Sequence, residues 1–293
     1  MRHAASFALL LFVSTVSASG DVILSSPTAP CTAAGALVRL PDMPEASGVA
    51  ASRRTNGVVW VLNDSGEPVV TALNADGSVV GRVRLDGAEL VDWEDIAAAP
   101  CGDRSCLYVG DIGDNKRSRD RITVYRAIEP APGDPSAAAD AFQGTYPDGP
   151  HDAEAMFVTR DGSIYVITKG EAGPVALYRF PRDPRSGAVS PLERIGGVVA
   201  AQVERDERPT GAAASPDGRW VAVRTTSRIA FYRTEDLTAG RWNEAFRFDL
   251  RSLGEKQGEG IAFGANGVIY VAGEEGAKSR GGTFARLTCA LPR

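Results

Sequence analysis

The chain contains an internal repeat. Five segments begin with a similar pattern of small, acidic and apolar residues, and they are separated by 47, 60, 56 and 49 residues. Periods of about this length indicate a repeat architecture, in which each unit is completed by packing against its neighbours. The five segments begin at Ala46, Trp93, Ala153, Pro209 and Gly258.

Each repeat continues into sequence typical of β-strands. A turn such as Asp161-Gly162, Asp217-Gly218 or Asn266-Gly267 is followed by a run rich in β-branched and aromatic residues. Helical periodicity is nearly absent, which excludes helical solenoids. Repeats with about four short strands each predict an all-β protein of the β-propeller class.

The two ends of the chain indicate how the ring closes. The last repeat ends with residues 283–289, one strand short, and an unpartnered strand is predicted at residues 35–40. Pairing these segments gives a five-bladed propeller in which the N-terminal strand completes the last blade. A six-bladed ring, with a degenerate blade between residues 111 and 151, is the alternative.

The four cysteines favour two disulfides. Cys101 and Cys106 flank a short turn, and Cys31 and Cys289 lie near the two ends that the ring closure brings together. We therefore expect the pairs Cys31–Cys289 and Cys101–Cys106. A zinc site made of four thiolates is the competing interpretation, but the spacing lacks paired C-x-x-C motifs.

The first residues have the pattern of an export signal. Arg2 precedes an apolar stretch and a small-residue cleavage site, so we predict a signal peptide at residues 1–18, an extension at 19–34 and a single propeller domain at 35–293. The alternative is a retained membrane anchor, although the apolar run is short for a spanning helix. No later segment is predicted to cross a membrane. The expected location is secreted or periplasmic.

The charge of the chain bears on its partners. Without Arg2 the mature chain has 31 basic and 37 acidic residues, a formal charge of −6. This charge argues against nucleic acid or an anionic membrane as partner. We expect a monomer that binds a small molecule or another protein.

Acidic residues recur at the start of the repeats. The aligned position before each innermost strand is predicted to face the mouth of the central channel, and three of these five residues are carboxylates. Oxygen ligands of this kind suit Ca²⁺, which we take as the candidate cofactor. The alternative is that the acids bond to neighbouring backbones or line a water-filled channel. The five residues are Ser47, Glu94, Glu154, Thr210 and Glu259.

Four further residues are candidates for catalysis or ligand binding. Asp111 lies in the densest acidic cluster, and His151 is the sole imidazole of the mature chain. Either could transfer protons, although His151 could equally be a surface residue. Lys169 and Arg224 follow or lie within second strands on the same face and could bind an anion.

Several motifs resemble those of known families. NDSG at 63–66, DWEDIA at 92–97, YVGDIGDN at 108–115, YPDG at 146–149 and DAEA at 152–155 resemble a widespread group of uncharacterised secreted bacterial β-propellers. The repeat starts are more distantly similar to those of calcium-activated nucleotidases of the apyrase type and of phytase-like propellers. The apyrase likeness implies five blades around a central Ca²⁺, with Ser47, Glu94, Glu154 and Glu259 near the metal.

Two functions follow as hypotheses. The first is a ligand-binding or protein-interaction propeller of the cell envelope, with a structural ion in its channel. The second is a metal-dependent hydrolase of phosphate esters or related small esters. Because propellers serve many unrelated functions, the fold does not choose between them.

Overall fold

The structure is a computed structural model that describes Met1 and residues 27–40, 42–198, 203–275 and 281–292. Apart from Met1, the predicted signal peptide and the start of the extension lie outside the described residues.

The regular secondary structure of the described chain is almost entirely β-strand, and the strands are arranged mainly in antiparallel meanders. The N-terminal strands are β1 (Cys31–Ala33) and β2 (Val38–Leu40). The first meander contains β3 (Ala46–Ala51), β4 (Val58–Asn63), β5 (Val69–Asn74) and β6 (Val79–Asp86). The second contains β7 (Trp93–Cys101), β8 (Arg104–Asp111), β9 (Ile122–Ile128) and β10 (Ser136–Thr145).

The remaining strands form three more meanders. The third contains β11 (Ala153–Val158), β12 (Ile164–Thr168), β13 (Ala176–Arg179) and β15 (Glu193–Gly197), and β14 (Val189–Pro191) pairs with β10. The fourth contains β16 (Pro209–Ala214), β17 (Trp220–Thr225), β18 (Arg228–Arg233) and β19 (Glu244–Asp249). The fifth contains β20 (Gln257–Phe263), β21 (Val268–Glu274) and β22 (Gly282–Cys289).

Helical segments are short and lie in connections. They are α1 (Thr234–Leu237) and the 3₁₀ turns Arg205–Glu207, Arg251–Leu253 and Ala265–Gly267. Among the described residues no helix is long and apolar enough to cross a membrane.

The first strands of the meanders form a ring. β3 contacts β7, β7 contacts β11, β11 contacts β16, β16 contacts β20, and β20 contacts β3. The first two meanders and β14 also form one nine-stranded sheet, because β6 and β10 pair in parallel at their outer edges and β14 pairs with β10. This radial arrangement is that of a β-propeller, as the repeat predicts. The segment in which the six-bladed alternative placed another blade contains β9 and β10.

The two chain ends meet in the fifth meander. Both β1 and β2 pair antiparallel with β22, with Cys31 opposite Cys289. Both predicted disulfides, Cys31–Cys289 and Cys101–Cys106, are present. β1 lies within the segment predicted as an extension, so the sheet begins earlier in the chain than expected.

Apolar side chains fill the space between neighbouring meanders. Trp60 and Trp93 pack between the first and second, and Tyr108 and Tyr178 between the second and third. Comparable clusters lie at the other three contacts. Face-to-face packing of twisted sheets thus forms the core. The axis of the ring is occupied by other residues.

Backbone crowds the axis so closely that little side-chain volume fits there. A Cβ on Gly48 would lie 2.6 Å from the Ile96 nitrogen, and a Cβ on Gly211 would lie 2.5 Å from the Glu259 oxygen. Gly260 faces the backbone of Ser47 in the same way. Glycine is therefore required at these positions by close approach of the strands.

Asp95 occupies the equivalent position in the second repeat, and its side chain is completely buried. One carboxylate oxygen accepts the N–H groups of Met156 (2.9 Å) and Ala212 (3.0 Å), and the other accepts the N–H of Ile96 (2.8 Å). A single side chain thus joins the first strands of the second, third and fourth meanders.

We predict that Asp95→Ala lowers the free energy of unfolding by about 2–5 kcal/mol, because the Met156 and Ala212 N–H groups lose their buried acceptor. Asp95→Asn retains an oxygen that can accept both bonds and should cost less. Urea unfolding measures both variants. An Asp95→Ala protein as stable as wild type would contradict this role.

Candidate functional site

Every first strand is irregular at the residue predicted to face the channel mouth. The pairing register shifts between Ala46 and Val49, Trp93 and Asp95, Ala153 and Ala155, Pro209 and Gly211, and Gly258 and Ile261. These intervals bracket all five aligned positions. A β-bulge redirects a side chain, so it explains how one residue per strand departs from the regular alternation.

Five carboxylates gather at this end of the axis, and we call them the axial acidic cluster: Asp92, Glu94, Asp152, Glu154 and Glu259. Burial raises the pKa of Glu94 well above its usual value, and the nearby charges of Glu154, Asp92 and Glu259 raise it further. Burial, followed by the charge of Glu154, raises the pKa of Glu259 to about 8. Glu94, Glu154 and Glu259 therefore lie close enough for their charges to affect one another.

Lys169 contributes positive charge to the cluster. Its ammonium group forms an ion pair with Glu154 and lies 3.5 Å from a carboxylate oxygen of Asp152. Burial raises the pKa of Glu154 to about 7 even though Lys169 opposes the shift. Lys169 was predicted to hold an anionic ligand, but in the structure its charge is directed at protein carboxylates.

The two hydroxyl residues of the aligned set bond to backbone. Ser47 donates to the Glu94 carbonyl (2.5 Å), and Thr210 donates to the Gly258 carbonyl (2.9 Å). Ser47 was predicted as a metal ligand. Its hydroxyl hydrogen instead links the first and second repeats.

The segment of the GDIGDN motif covers the cluster. A Cβ on Gly113 would lie within 2.5 Å of the carboxylates of Glu94 and Asp92, so the Gly113 backbone is close to both acids. The next N–H, that of Asp114, donates to Asp152 (2.8 Å). The motif therefore places the backbone of Gly113 and Asp114 in direct contact with carboxylates of the cluster.

Asp111 holds this segment in place through hydrogen bonds and an ion pair. Its buried carboxylate accepts the N–H groups of Val91 and Asp92 (both 3.2 Å) and pairs with Arg119 (2.7 Å). Arg119 also donates to the Gly113 carbonyl (2.8 Å). Asp111 was a candidate for proton transfer, but these partners occupy its carboxylate and give it a positioning role. The sequence analysis did not identify Arg119.

His151 lies beside the cluster in a separate group of side chains. Its Nε2 is 3.0 Å from an Asp148 oxygen and 3.0 Å from the Tyr178 hydroxyl, which itself donates to Asp148 (2.8 Å). The ring of Tyr146 packs edge-on against the imidazole. His151 is thus not a lone surface residue, because its ring bonds to Asp148 and Tyr178.

Arg224 is completely buried, contrary to its predicted role in ligand binding. Its guanidinium donates to the carbonyls of Gly260 (2.8 Å) and Ala272 (2.9 Å) and pairs with Glu255 (2.5 Å). These contacts join the fourth meander to the fifth. They leave no exposed face of the guanidinium for an anion.

A second acidic group borders the axial acidic cluster. Burial and the charges of Glu45 and Glu274 raise the pKa of Asp64 to about 7, and Asp92 contributes to the same shift. Asp64 directly follows β4, and Glu274 is the last residue of β21. Glu45, which precedes the first repeat, was not identified from the sequence.

The cluster has the donor chemistry of a calcium site but not its closed geometry. Among the described residues, no three histidine, cysteine or acidic side chains are positioned to hold a metal ion. Lys169 contacts two of the carboxylates, and Ca²⁺ requires six to eight oxygens at bonding distance. Glu94, Asp92 and Glu259 remain without an ion-pair partner among the described side chains.

Two cavities lie along the channel. One, of about 480 Å³, opens beside the cluster and is bordered by Glu154, Lys169 and Glu259. The other, of about 270 Å³, lies at the opposite end and is lined largely by alanines such as Ala98 and Ala213. The titratable groups described above thus lie at one end of the channel.

Comparison with known proteins supports the fold. No protein-family model and no curated protein matches the chain. Among solved structures, the PQQ-bound aldose sugar dehydrogenase of Streptomyces coelicolor is similar over 90% of this chain and 99% of its own, with a TM-score of 0.50 and 12% identity. A gluconolactonase of Xanthomonas campestris covers 90% of this chain and 97% of its own at a TM-score of 0.43 and 13% identity. At such low identity the dehydrogenase likeness concerns the β-propeller fold alone.

The raised pKa values predict how stability changes with pH. Between the ordinary value of 4.5 and about 8, folded Glu259 binds a proton that the unfolded chain releases. Metal-free protein should therefore lose stability as pH rises from 5 to 8.5, and one pKa unit corresponds to about 1.4 kcal/mol. Glu259→Gln should flatten this decline, measured by urea unfolding across pH.

The matched control for this prediction is Glu67→Gln, because Glu67 is exposed in an ion pair with Arg84. It should leave the pH profile unchanged. If the Glu259→Gln and wild-type profiles run parallel, Glu259 does not titrate as described.

Proposed function

We propose that this protein is an exported, five-bladed β-propeller that binds a calcium ion at the axial acidic cluster and serves as a ligand-binding module. The five meanders are the proposed blades, and β1 and β2 complete the last one. Two disulfides suit an oxidising compartment, which supports export to the periplasm or the cell exterior.

The observation that carries this proposal is the excess of negative charge at the axis. Of the five carboxylates in the cluster, only Asp152 and Glu154 pair with the ammonium of Lys169, and four of the five have pKa values raised by burial and mutual repulsion. Such a group either takes up protons or binds a cation. All candidate ligands are oxygens, which favours Ca²⁺ over zinc or copper.

The proposed ligands are Glu94 and Glu259, with Asp92 beside them. Glu154 would join them when Lys169 moves away, because its carboxylate is held by that ammonium. The close backbone at Gly113 and the burial of Glu259 exclude much of the water that competes for the ion.

Calcium binding tests the proposal directly. Metal-free protein titrated with Ca²⁺ in a calorimeter should bind the ion, and its melting temperature should rise with Ca²⁺ concentration. Glu94→Gln should weaken binding by roughly tenfold or more, because carboxylate charge sets affinity. Lys169→Met should strengthen binding, because it removes the competing cation. Glu67→Gln is the matched control.

Each variant reports on a separate part of the proposal. No heat of binding and no thermal shift at about 10 mM Ca²⁺ would overturn the calcium site, since affinities weaker than this correspond to less than about 3 kcal/mol. Binding that Glu94→Gln leaves intact would place the ion elsewhere.

Hydrolysis of a phosphate ester or a related small ester is the second candidate function. The pKa values of Glu154 and Glu259, about 7 and about 8, suit proton transfer near neutral pH. In this case the reactive carboxylates are those of the cluster, since Asp111 is occupied by its partners. A screen of nucleotides, phytate and aryl esters with Ca²⁺ tests this candidate. Activity abolished by Glu154→Gln would support it, and no activity leaves binding as the function.

A further inference from the structure

The cavity of about 480 Å³ beside the axial acidic cluster is lined by residues with polar side chains. Every described residue that borders it is charged or carries an amide or hydroxyl group, including Asn115, Thr226 and Gln257. A cavity of this size accepts a small molecule, and polar side chains around it favour a hydrophilic one.

Charge is divided unevenly across this cavity. Glu154 and Glu259 border it on the axial side, whereas Arg205 and Arg208 border it near the connection that leads into β16. Lys169 also reaches the cavity, but Glu154 and Asp152 already neutralise its ammonium. Arg208 also pairs with Glu171, which borders the same cavity, so Arg205 is the cation of the lining that has no ion-pair partner among the described residues.

The two arginines differ in how many of their hydrogen-bond donors have partners within the protein. Arg208 donates to Glu171 (2.9 Å), but its Nε is buried without a hydrogen-bond partner. Arg205 is exposed and forms no ion pair with another described residue. A guanidinium fork matches the paired oxygens of a carboxylate or phosphate.

We propose that this cavity binds a small hydroxylated anion, with Arg205 and Arg208 pairing with its carboxylate or phosphate group. The hydroxyl groups of the ligand then face Gln257, Thr226 and Asn115. This assignment replaces Arg224, which is buried against Glu255, and Lys169, which is paired with acids.

The inference rests on the proposed function in one respect. The uncompensated acids of the cluster repel an anion placed beside them, and a bound Ca²⁺ removes that repulsion. Anion binding should therefore be stronger when Ca²⁺ is present.

The test uses three small molecules that share one hydroxylated scaffold. D-Glycerate carries a carboxylate, glycerol 3-phosphate carries a phosphate, and glycerol carries no charge. Calorimetric titrations of the full protein, with Ca²⁺ and with chelator, should show binding of at least one anion and none of glycerol. Which anion binds more tightly distinguishes carboxylate from phosphate recognition.

Variants locate the binding. Arg205→Ala should weaken anion binding by roughly tenfold or more, the range of a charge-assisted hydrogen bond. Arg205→Lys should recover part of it, because the charge remains without the fork. Arg82→Ala is the matched control, since Arg82 is exposed on β6 and pairs with Asp42.

The outcomes separate this inference from the proposed function. Calcium binding without binding of either anion, equal binding of glycerol, or full affinity in Arg205→Ala would overturn the anion site alone. Absence of calcium binding with anion binding intact would overturn the calcium proposal and support the cavity assignment.

Discussion

The rest of this structure depends on the close approach of the five first strands to a common axis. At the innermost position the backbones are so near that Gly48, Gly211 and Gly260 have no room for a Cβ. Asp95 and Ala155 are the residues with a Cβ at this position, and the Asp95 carboxylate accepts the N–H groups of two neighbouring strands. Apolar clusters between the sheets hold the ring together, but the axis itself is closed by backbone and by this carboxylate.

The candidate site is a consequence of that crowding. Each first strand bulges just before the innermost position, and the bulge directs one side chain toward the end of the channel. Because three of those residues are glutamates, the geometry that packs the ring also concentrates negative charge. Asp111 and Arg119 hold the GDIGDN segment over the acids, and Lys169 offsets part of the charge. The negative charge that Lys169 does not offset is the reason for proposing a bound cation.

Much of the fold could be predicted from the sequence, because it depends on local patterns. The repeat starts located the first strands, and left-handed glycines occur at the predicted turns of Gly162, Gly218 and Gly267. The pairing of Cys31 with Cys289 followed from the ring closure. These features need only the order of strands and the chemistry of turns.

The site was less predictable, because it depends on contacts between repeats. The convergence of Glu94, Glu154 and Glu259 followed from the alignment, but nothing in the pattern shows which cation meets which acid. Lys169 and Arg224 were both expected to bind an anion, and both are paired with glutamates. Asp95 had a visible signal, since the other repeats carry glycine or alanine at its position. That comparison becomes meaningful only when the axis is known to be crowded.

The most direct test of the account is a carbon NMR titration of the glutamate carboxyl groups in metal-free protein, assigned by the variants Glu94→Gln and Glu259→Gln. The account predicts that Glu259 titrates near pH 8 without a divalent cation and at markedly lower pH once Ca²⁺ is added. Ordinary carboxyl titration near pH 4.5, unchanged by Ca²⁺, would contradict the claim that the ring concentrates uncompensated charge on its axis.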